Sequence, residues 1–338
     1  MIIDLRSDTF TKPSAHMLQV MMDAQVGDDV FGEDPSVNEL EQYCANLFGM
    51  EAAMYCPTGT MANQIAIKCH TQPAEELICD KQSHVYIYEG GGIAFNSGVQ
   101  VKPIAGLRGL LTASDIEACI NPTDIHQPTT SLVCLENTHN KGGGSCYEFE
   151  EITKIKALTK TKQLKLHLDG ARLFNALIAT GQSEKDYGNS FDSISICLSK
   201  GLGAPMGSVL LSNHPFIKKA RRIRKVMGGG MRQAGYMAAA GLFALHNNVL
   251  RLGQDHYHAK QIATQLTEKD FVGKILPVQT NIIIFEILSD GGAAKFCEYM
   301  KNYNILCLPF SLTHVRMVTH YDVSPQMVAE VQHILHEM

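Results

Sequence analysis

Apolar positions fall into two alternating rhythms along most of the chain. Between residues 35 and 48 they recur at helical spacing, with Val37, Leu40, Cys44, Leu47 and Phe48 on one face. Ser36 and Glu39 form the S-x-x-E pattern of a capping box, and Gly49 supplies a stop. The next apolar run, 52–56 (AAMYC), is short and continuous, as a strand buried on both faces is. It leads through PTGT into a second helical stretch from Gly59 to Cys69. Further strands are predicted at 77–79, 131–135, 164–168, 193–198 and 208–212, and helices at 113–119, 148–160 and 171–179. Strands that alternate with helices predict a mainly parallel sheet covered by helices on both faces.

The last third reads differently. One long helical region is predicted over 231–268, with apolar Met237, Leu242 and Leu245. NIIIFEI (281–287), a helix over 292–302, HVRMVTH (314–320) and a helix opened by Ser324 follow. Two β–α units predict a smaller α+β domain, with the boundary near residue 248. The expected organisation is thus a large domain over 1–248 and a small one over 249–338.

Composition narrows the class. A chain of 338 residues with 45% apolar content can bury a large core. Its net charge of −5, from 29 basic and 34 acidic residues, argues against a nucleic-acid binder. Ten cysteines are present with no C-x-x-C spacing, so neither a zinc site nor a disulfide framework is expected. Cys134 in SLVCLE and Cys197 in SISICLS read as small buried hydrophobes in a reducing compartment. The opening MIIDLRSDTF is charged from Asp4 and lacks the apolar core of a secretory signal. No run approaches the roughly 18 apolar residues of a membrane span. A cytoplasmic protein is expected.

Candidate chemistry begins at Lys200, which follows the apolar run DSISICLS and precedes GLGAPMG. A desolvated lysine at a strand end is a nucleophilic amine able to form a Schiff base; the plainer alternative is a surface lysine. Asp169 ends LKLHLD, at the strand edge where open α/β sheets bind ligands. It reads either as the partner of a pyridoxal phosphate ring nitrogen or as a helix cap. Thr58-Gly59-Thr60 lies between a strand and a helix and offers backbone N–H groups to an anion. GLGAPMG is not a G-x-G-x-x-G, so the dinucleotide fingerprint is absent. His84, in DKQSHVYIYEGG, is placed to stack on a ring or move protons, or is an ordinary loop histidine. Arg172 and Arg316 can hold a carboxylate, of a substrate or of a structural Asp. The basic segment 218–233 reads as a solvated helix face or as a phosphate-contacting loop at a subunit interface.

Taken together, Thr58-Gly59-Thr60, His84, Asp169-Gly-Ala-Arg172 and Ser199-Lys200-Gly-Leu-Gly resemble the fold-type I pyridoxal phosphate enzymes. The chain is most similar to the low-specificity L-threonine aldolases, through DLRSDTFTKPS, VGDDVFGEDPSVNELE, PTGTMANQIA, LENTHN, HLDGARLFNA, SICLSKGLGAPMGS, MGGGMRQAG and VRMVTH. The resemblance implies an α/β fold with a large domain around a mainly parallel sheet and a small C-terminal domain. It implies pyridoxal 5'-phosphate as cofactor and reversible cleavage of L-threonine or L-allo-threonine to glycine and acetaldehyde, other β-hydroxy amino acids being accepted.

By the same resemblance, Lys200 matches the Schiff-base lysine, Asp169 the ring-nitrogen partner, Thr58, Gly59 and Thr60 the phosphate cradle, and His84 the stacked histidine. Ser7, Arg172 and Arg316 match groups around the substrate carboxylate, and His126 a histidine near the β-hydroxyl. Lys225 and Arg232 match basic residues supplied across the interface of a homodimer or homotetramer. For the general base, His84 is the first candidate, His126 the second and a water the third. Other pyridoxal phosphate enzymes of this fold, a β-eliminating lyase or an aminotransferase, need the same lysine, aspartate and cradle. The chain departs from the pattern in a glycine-rich KGGGSCYEF (141–149) and in having no tryptophan.

Overall fold

The computed structural model describes residues 2–338. The chain begins with a short strand β1 (Ile3–Asp4) and helices α1 (Ala15–Met22) and α2 (Pro35–Phe48). Then come β2 (Ala52–Cys56), α3 (Gly59–His70), β3 (Glu76–Asp80), α4 (His84–Ile87), β4 (Gln100–Ile104), α5 (Ala113–Glu117), β5 (Thr130–Glu136) and α6 (Phe149–Thr161). The middle continues with β6 (Lys165–Gly170), α7 (Leu173–Thr180), α8 (Glu184–Ser190), β7 (Ser193–Cys197), β8 (Ser208–Ser212), α9 (His214–Val226), α10 (Gly235–Asn247) and α11 (Leu252–Thr267). The C-terminal part holds β9 (Val272–Ile275), β10 (Ile282–Ile287), α12 (Gly292–Asn302), β11 (Ile305–Leu306), β12 (Leu308–Pro309), β13 (His314–Val318) and α13 (Pro325–Glu337).

Seven strands form the central sheet in the order β2-β8-β7-β6-β5-β3-β4. Only β8 runs against its neighbours; the pairs among β7, β6, β5, β3 and β4 are parallel. The central strands are buried almost throughout because both faces are covered. Along β5, Val133 and Leu135 enter one core with α2, α6, α7 and α10, while Leu132 and Cys134 enter another on the opposite face. Beneath β2 and β8, α3 and α9 cover that second face through Ile65, Ala66 and Ile217.

A separate antiparallel sheet, β12-β13-β10-β9, packs with α11, α12 and α13. Its core also takes Ile3 and Leu5, because β1 pairs in parallel with β11 and draws the N-terminus into this unit. The N-terminal arm therefore bridges the two units.

Two local expectations are corrected. The cap of α2 is Asp34, whose carboxylate accepts from the Val37 N–H, with Pro35 at the first helical position. Ser36 donates instead to the Gln25 carbonyl, so the Ser36/Glu39 box does not form. The region 231–268 is two helices, α10 and α11, interrupted between Asn247 and Leu252. Ser324 does cap the last helix.

The glycine-rich stretch has a packing cause: a Cβ on Gly144 would stand 2.3 Å from the Thr280 hydroxyl, at a positive φ of 68°. Eight cysteines are buried and two, Cys119 and Cys297, are partly exposed. The sulfurs of Cys297 and Cys307 lie 3.3 Å apart as thiols. Among the described residues no helix is long and apolar enough to cross a membrane.

Candidate active site

The carboxyl ends of the parallel strands gather the expected residues at one edge. Asp169, near the end of β6, is in register with Glu136 at the end of β5 and with Ser195 in β7. Lys200 follows just beyond β7. Because β8 is reversed, its first residue Ser208 lies opposite Cys56, the last of β2, so the turn into α3 opens at the same edge. A cavity of about 260 Å³ sits there, lined by Thr58, Gly59, Thr60, His84, Asp169 and Lys200, with Asn63 and Glu89 deeper in. Larger surface cavities of about 590 and 390 Å³ border α2 and α9 and contain none of these residues.

The first wall is an anion cradle. Thr58 caps α3, its hydroxyl accepting from the Met61 N–H. The N–H groups of Gly59 and Thr60 open the helix and have no acceptor among the described residues. A Cβ built on Gly59 meets nothing within 4 Å, so protein packing does not require the glycine. The space it leaves lies at the positive end of a helix dipole, where phosphates bind.

Asp169 is 2% exposed. One of its carboxylate oxygens accepts from the Ala171 N–H at 3.1 Å and the other from the Asn63 amide at 3.0 Å. The same Asn63 amide nitrogen donates to Glu89 at 2.9 Å. Glu89 also accepts from Gln64 at 2.6 Å and from His84 Nδ1 at 2.9 Å. The Asn63 carbonyl oxygen accepts from Ser195 at 2.6 Å and contacts His167 Nε2 at 3.2 Å, which orients the amide. Burial depresses the basicity of His84, but its hydrogen bond to Glu89 and the charges of Asp169 and Glu89 outweigh that and leave its pKa raised. His84, Glu89 and Asp169 bring three potential metal-ligating atoms within 4.8 Å of one another, a grouping that sequence spacing does not show. Amide N–H groups of Asn63, Gln64 and Ala171 already occupy their carboxylates.

The N-terminal arm and the small sheet bring further charged residues near this edge. The Thr11 hydroxyl lies on the carbonyls of both Asp8 and Lys200, at 2.9 and 3.0 Å, which ties the arm to the lysine loop. Lys200 is half-buried, and its ammonium makes no hydrogen bond or ion pair with any described residue. Arg172 is held by Asp8 through two bonds of 2.7 and 2.6 Å, both residues buried. Arg172 holds the Asp8 carboxyl down to about 2 despite burial. Ser7, also buried, accepts from the Thr9 N–H and hydroxyl.

Arg316, in β13, donates to the Asn140 side chain at 3.1 Å and to the Arg6 carbonyl at 3.2 Å. Its Nε is buried without a partner, and no carboxylate of a described residue lies within ion-pair distance. Burial and the positive charge of Arg172 lower its pKa.

Six expected residues do not line the cavity: Ser7, Arg172 and Arg316, described above, and three that lie on the surface, His126, Arg232 and Lys225. The His126 side chain is 84% exposed, in a turn where its N–H and Nδ1 both bond Asp124, at 2.9 and 2.8 Å. Arg232 is exposed and paired with Asp28 at 2.7 Å. Lys225 lines the separate surface cavity beside Phe31 and Gly230. Sequence reasoning missed Asn63, Glu89 and Asp8. Asn63 stands one helical turn into α3. Glu89 had a signal in EGGG: Gly90 and Gly91 both take positive φ, turning the chain so that the preceding carboxylate stays inside. Asp8 had one in DLRSD, a buried acid able to claim an arginine.

The donor set fits pyridoxal phosphate. Free helix N–H groups suit a phosphate, a buried carboxylate suits a ring nitrogen, and an uncommitted lysine suits an aldehyde. Comparison with known proteins agrees. A family model described as beta-eliminating lyase matches residues 4–288. The low specificity L-threonine aldolase of Escherichia coli K12 is 46% identical over 331 residues, covering 98% of this chain and 97% of the relative. By fold, the threonine aldolase of Leishmania major superposes with a TM-score of 0.86 over 99% of both chains at 21% identity. A structure of SPT with PLP superposes with a TM-score of 0.77, covering 99% of this chain and 87% of the other at 16% identity. The residues at the sheet edge and the near full-length identity agree, and the chain belongs to the beta-eliminating lyase family, among its low-specificity L-threonine aldolases.

Proposed function

We infer that the protein is a pyridoxal phosphate-dependent lyase that cleaves L-threonine and L-allo-threonine to glycine and acetaldehyde. The observation that carries the reading is the meeting of Lys200, which has no partner among the described residues, with the buried Asp169 and the helix cradle at one sheet edge. When bound, the cofactor supplies an electron sink for the bond that breaks at Cα.

The chain's own groups do the rest. The Gly59 and Thr60 N–H groups and the threonine hydroxyls hold the phosphate. Asp169, held in place by Asn63 and Ala171, would be the carboxylate partner of the cofactor ring nitrogen. Lys200, whose ammonium has no partner among the described residues, would hold the cofactor through its aldehyde. Arg316 takes the substrate carboxylate, assisted by Ser7 and by the Arg172 nitrogen that Asp8 leaves free. Fixing the substrate carboxylate would set rotation about N–Cα and so select which bond at Cα is broken. His84 receives the β-hydroxyl proton through Nε2, the ring nitrogen not bonded to Glu89. His126 sits on an exposed turn of the same chain, and His84 is the better-placed base.

Lys225 and Arg232 are surface residues near the exposed Phe31 and Val226, and we assign them to contact with a second subunit in a homodimer or homotetramer. The break after α10 supports a division of the chain near residue 248. Ten unbridged thiols support a cytoplasmic location.

The test is the visible spectrum of the purified protein with added glycine or L-threonine, alongside acetaldehyde release and the Lys200→Ala variant. A cofactor band that shifts with amino acid, acetaldehyde from threonine, and loss of both turnover and the lysine-bound band in the variant are expected. A band without acetaldehyde would point to an aminotransferase or β-elimination instead. No band after incubation with pyridoxal phosphate would overturn the cofactor assignment.

A further inference from the structure

We propose that Glu89 is a positioning residue for the reaction: it fixes the His84 imidazole with Nδ1 donating to its carboxylate, so that Nε2 is the atom offered to the substrate hydroxyl. The inference deepens the reading of His84 as the base and rests on it.

The geometry is built to hold this carboxylate still. Glu89 accepts three hydrogen bonds, from Asn63, Gln64 and His84, and donates none. Its side chain is fully buried, and the three donors converge on it from α3 and α4. Each donor is itself fixed. Asn63 is oriented by Ser195 and His167. Gln64 packs so tightly against Gly92 that a Cβ there would stand 2.8 Å from its amide. His84 is anchored at its own backbone N–H, which donates to Glu136 at 2.7 Å.

An anion on Nδ1 does two things for a base at Nε2. It selects the tautomer in which Nε2 carries the lone pair, and it stabilises the imidazolium that forms when Nε2 takes a proton. The groups facing His84 are Glu89 from the turn after α4, Asp169 from β6, Glu136 from β5, Lys200 from beyond β7 and the Tyr88 ring at 5.7 Å. Glu89 is the acid among them that bonds the ring. Asp169 is held by Ala171 and Asn63, and Glu136 is engaged by the His84 and Asn140 backbone N–H groups.

The test uses the pyridoxal phosphate-loaded enzyme with Glu89→Gln, His84→Phe and the double variant. The glutamine keeps the shape and removes the charge; the phenylalanine keeps a ring against the cofactor and removes the proton acceptor. Three readouts are taken: kcat and KM for L-threonine against pH, the thermal midpoint, and titration of the His84 ring nitrogens by ¹⁵N NMR in histidine-labelled protein, assigned by its loss in His84→Phe.

Glu89→Gln is expected to lower kcat, by no more than the roughly 10²–10⁴-fold that a general base contributes, with KM little changed. The acid limb of kcat/KM and the His84 ring titration both move to lower pH. In the His84→Phe background the glutamine adds no further loss.

A Glu89→Gln loss that persists at full size in the His84→Phe background, or an unmoved His84 titration, overturns the proposal. If His84→Phe retains full kcat, the base reading fails. The nitrogen titration then decides separately whether Glu89 sets the ring.

Discussion

Asp8→Asn isolates the charge of the most buried ion pair in the site. Asp8 is 0% exposed and Arg172 is 7% exposed, joined by two short hydrogen bonds. The substitution leaves the guanidinium buried without its counter-ion, a change that costs about 3–5 kcal/mol where such pairs have been broken. The pH dependence follows from the Asp8 carboxyl, held at about 2 against an ordinary value of 3.8. A depressed carboxylate pKa contributes stability that is fully present above the unfolded value and is lost as pH falls through the folded one. The gap corresponds to about 2 kcal/mol at neutral pH, of which about 1 kcal/mol is gone by pH 3. Urea unfolding of the cofactor-loaded enzyme at fixed protein concentration, from pH 7 to pH 3, reads both quantities. The wild type should exceed the variant by several kcal/mol at pH 7, and the difference should narrow by about 1 kcal/mol at pH 3 as the wild-type unfolded state takes up its proton. A difference below about 1 kcal/mol at pH 7, or one that does not change with pH, would refute the reasoning.

Arg316→Met should raise KM for L-threonine by about 10–100-fold with a smaller change in kcat, as expected for one lost hydrogen-bonded charge contact of about 1.5–3 kcal/mol. Steady-state kinetics checks it, and an unchanged KM would give the carboxylate to another group. Gly59→Ala should weaken pyridoxal phosphate binding by about 10–100-fold through loss of one charge-assisted contact, while leaving the urea midpoint of the cofactor-free protein unchanged, because the new methyl meets no protein atom within 4 Å. Gly144→Ala should do the reverse, lowering the thermal midpoint, since its methyl would strike Thr280 at a positive φ.

The central strands were legible in the sequence because both faces of the sheet are covered, and continuous apolar runs such as SLVCLE have no other use. Their ends placed Asp169 and Lys200 on neighbouring or near-neighbouring strands; β6, which carries Asp169, pairs with β7, just beyond which Lys200 lies. Elements without that signal were missed. β4 carries Gln100, Lys102 and Pro103 on an edge strand, where one side needs no partner. β1 is two residues long and exists because β11 pairs with it, a contact spanning almost the whole chain. The misplaced cap of α2 has a local cause: Asp34-Pro35 and Ser36-x-x-Glu39 both start a helix, and the proline at the first position favours the former.

The same limit governs the site, where residue identity shows which charges exist but not which are already matched. The sequence offers Arg172, Arg316 and Lys200 as cations for an amino acid and a cofactor aldehyde. In the fold, Asp8 arrives on the N-terminal arm and engages Arg172. Asp169 and Glu89, which line the cavity with Lys200, share the two N–H bonds of the single Asn63 amide, and Glu89 also bonds His84. Lys200 and Arg316 are therefore left without a protein anion. One is placed for an aldehyde carbon and the other for a carboxylate, and both groups come from outside the chain. Arg172 then supports, through Asp8, the arm that carries Ser7, besides lending its remaining nitrogen to the carboxylate. Its replacement should disturb KM and stability together, whereas Arg316→Met should disturb KM alone. That division depends on a contact 164 residues apart in sequence, which no local pattern around DGAR can reveal.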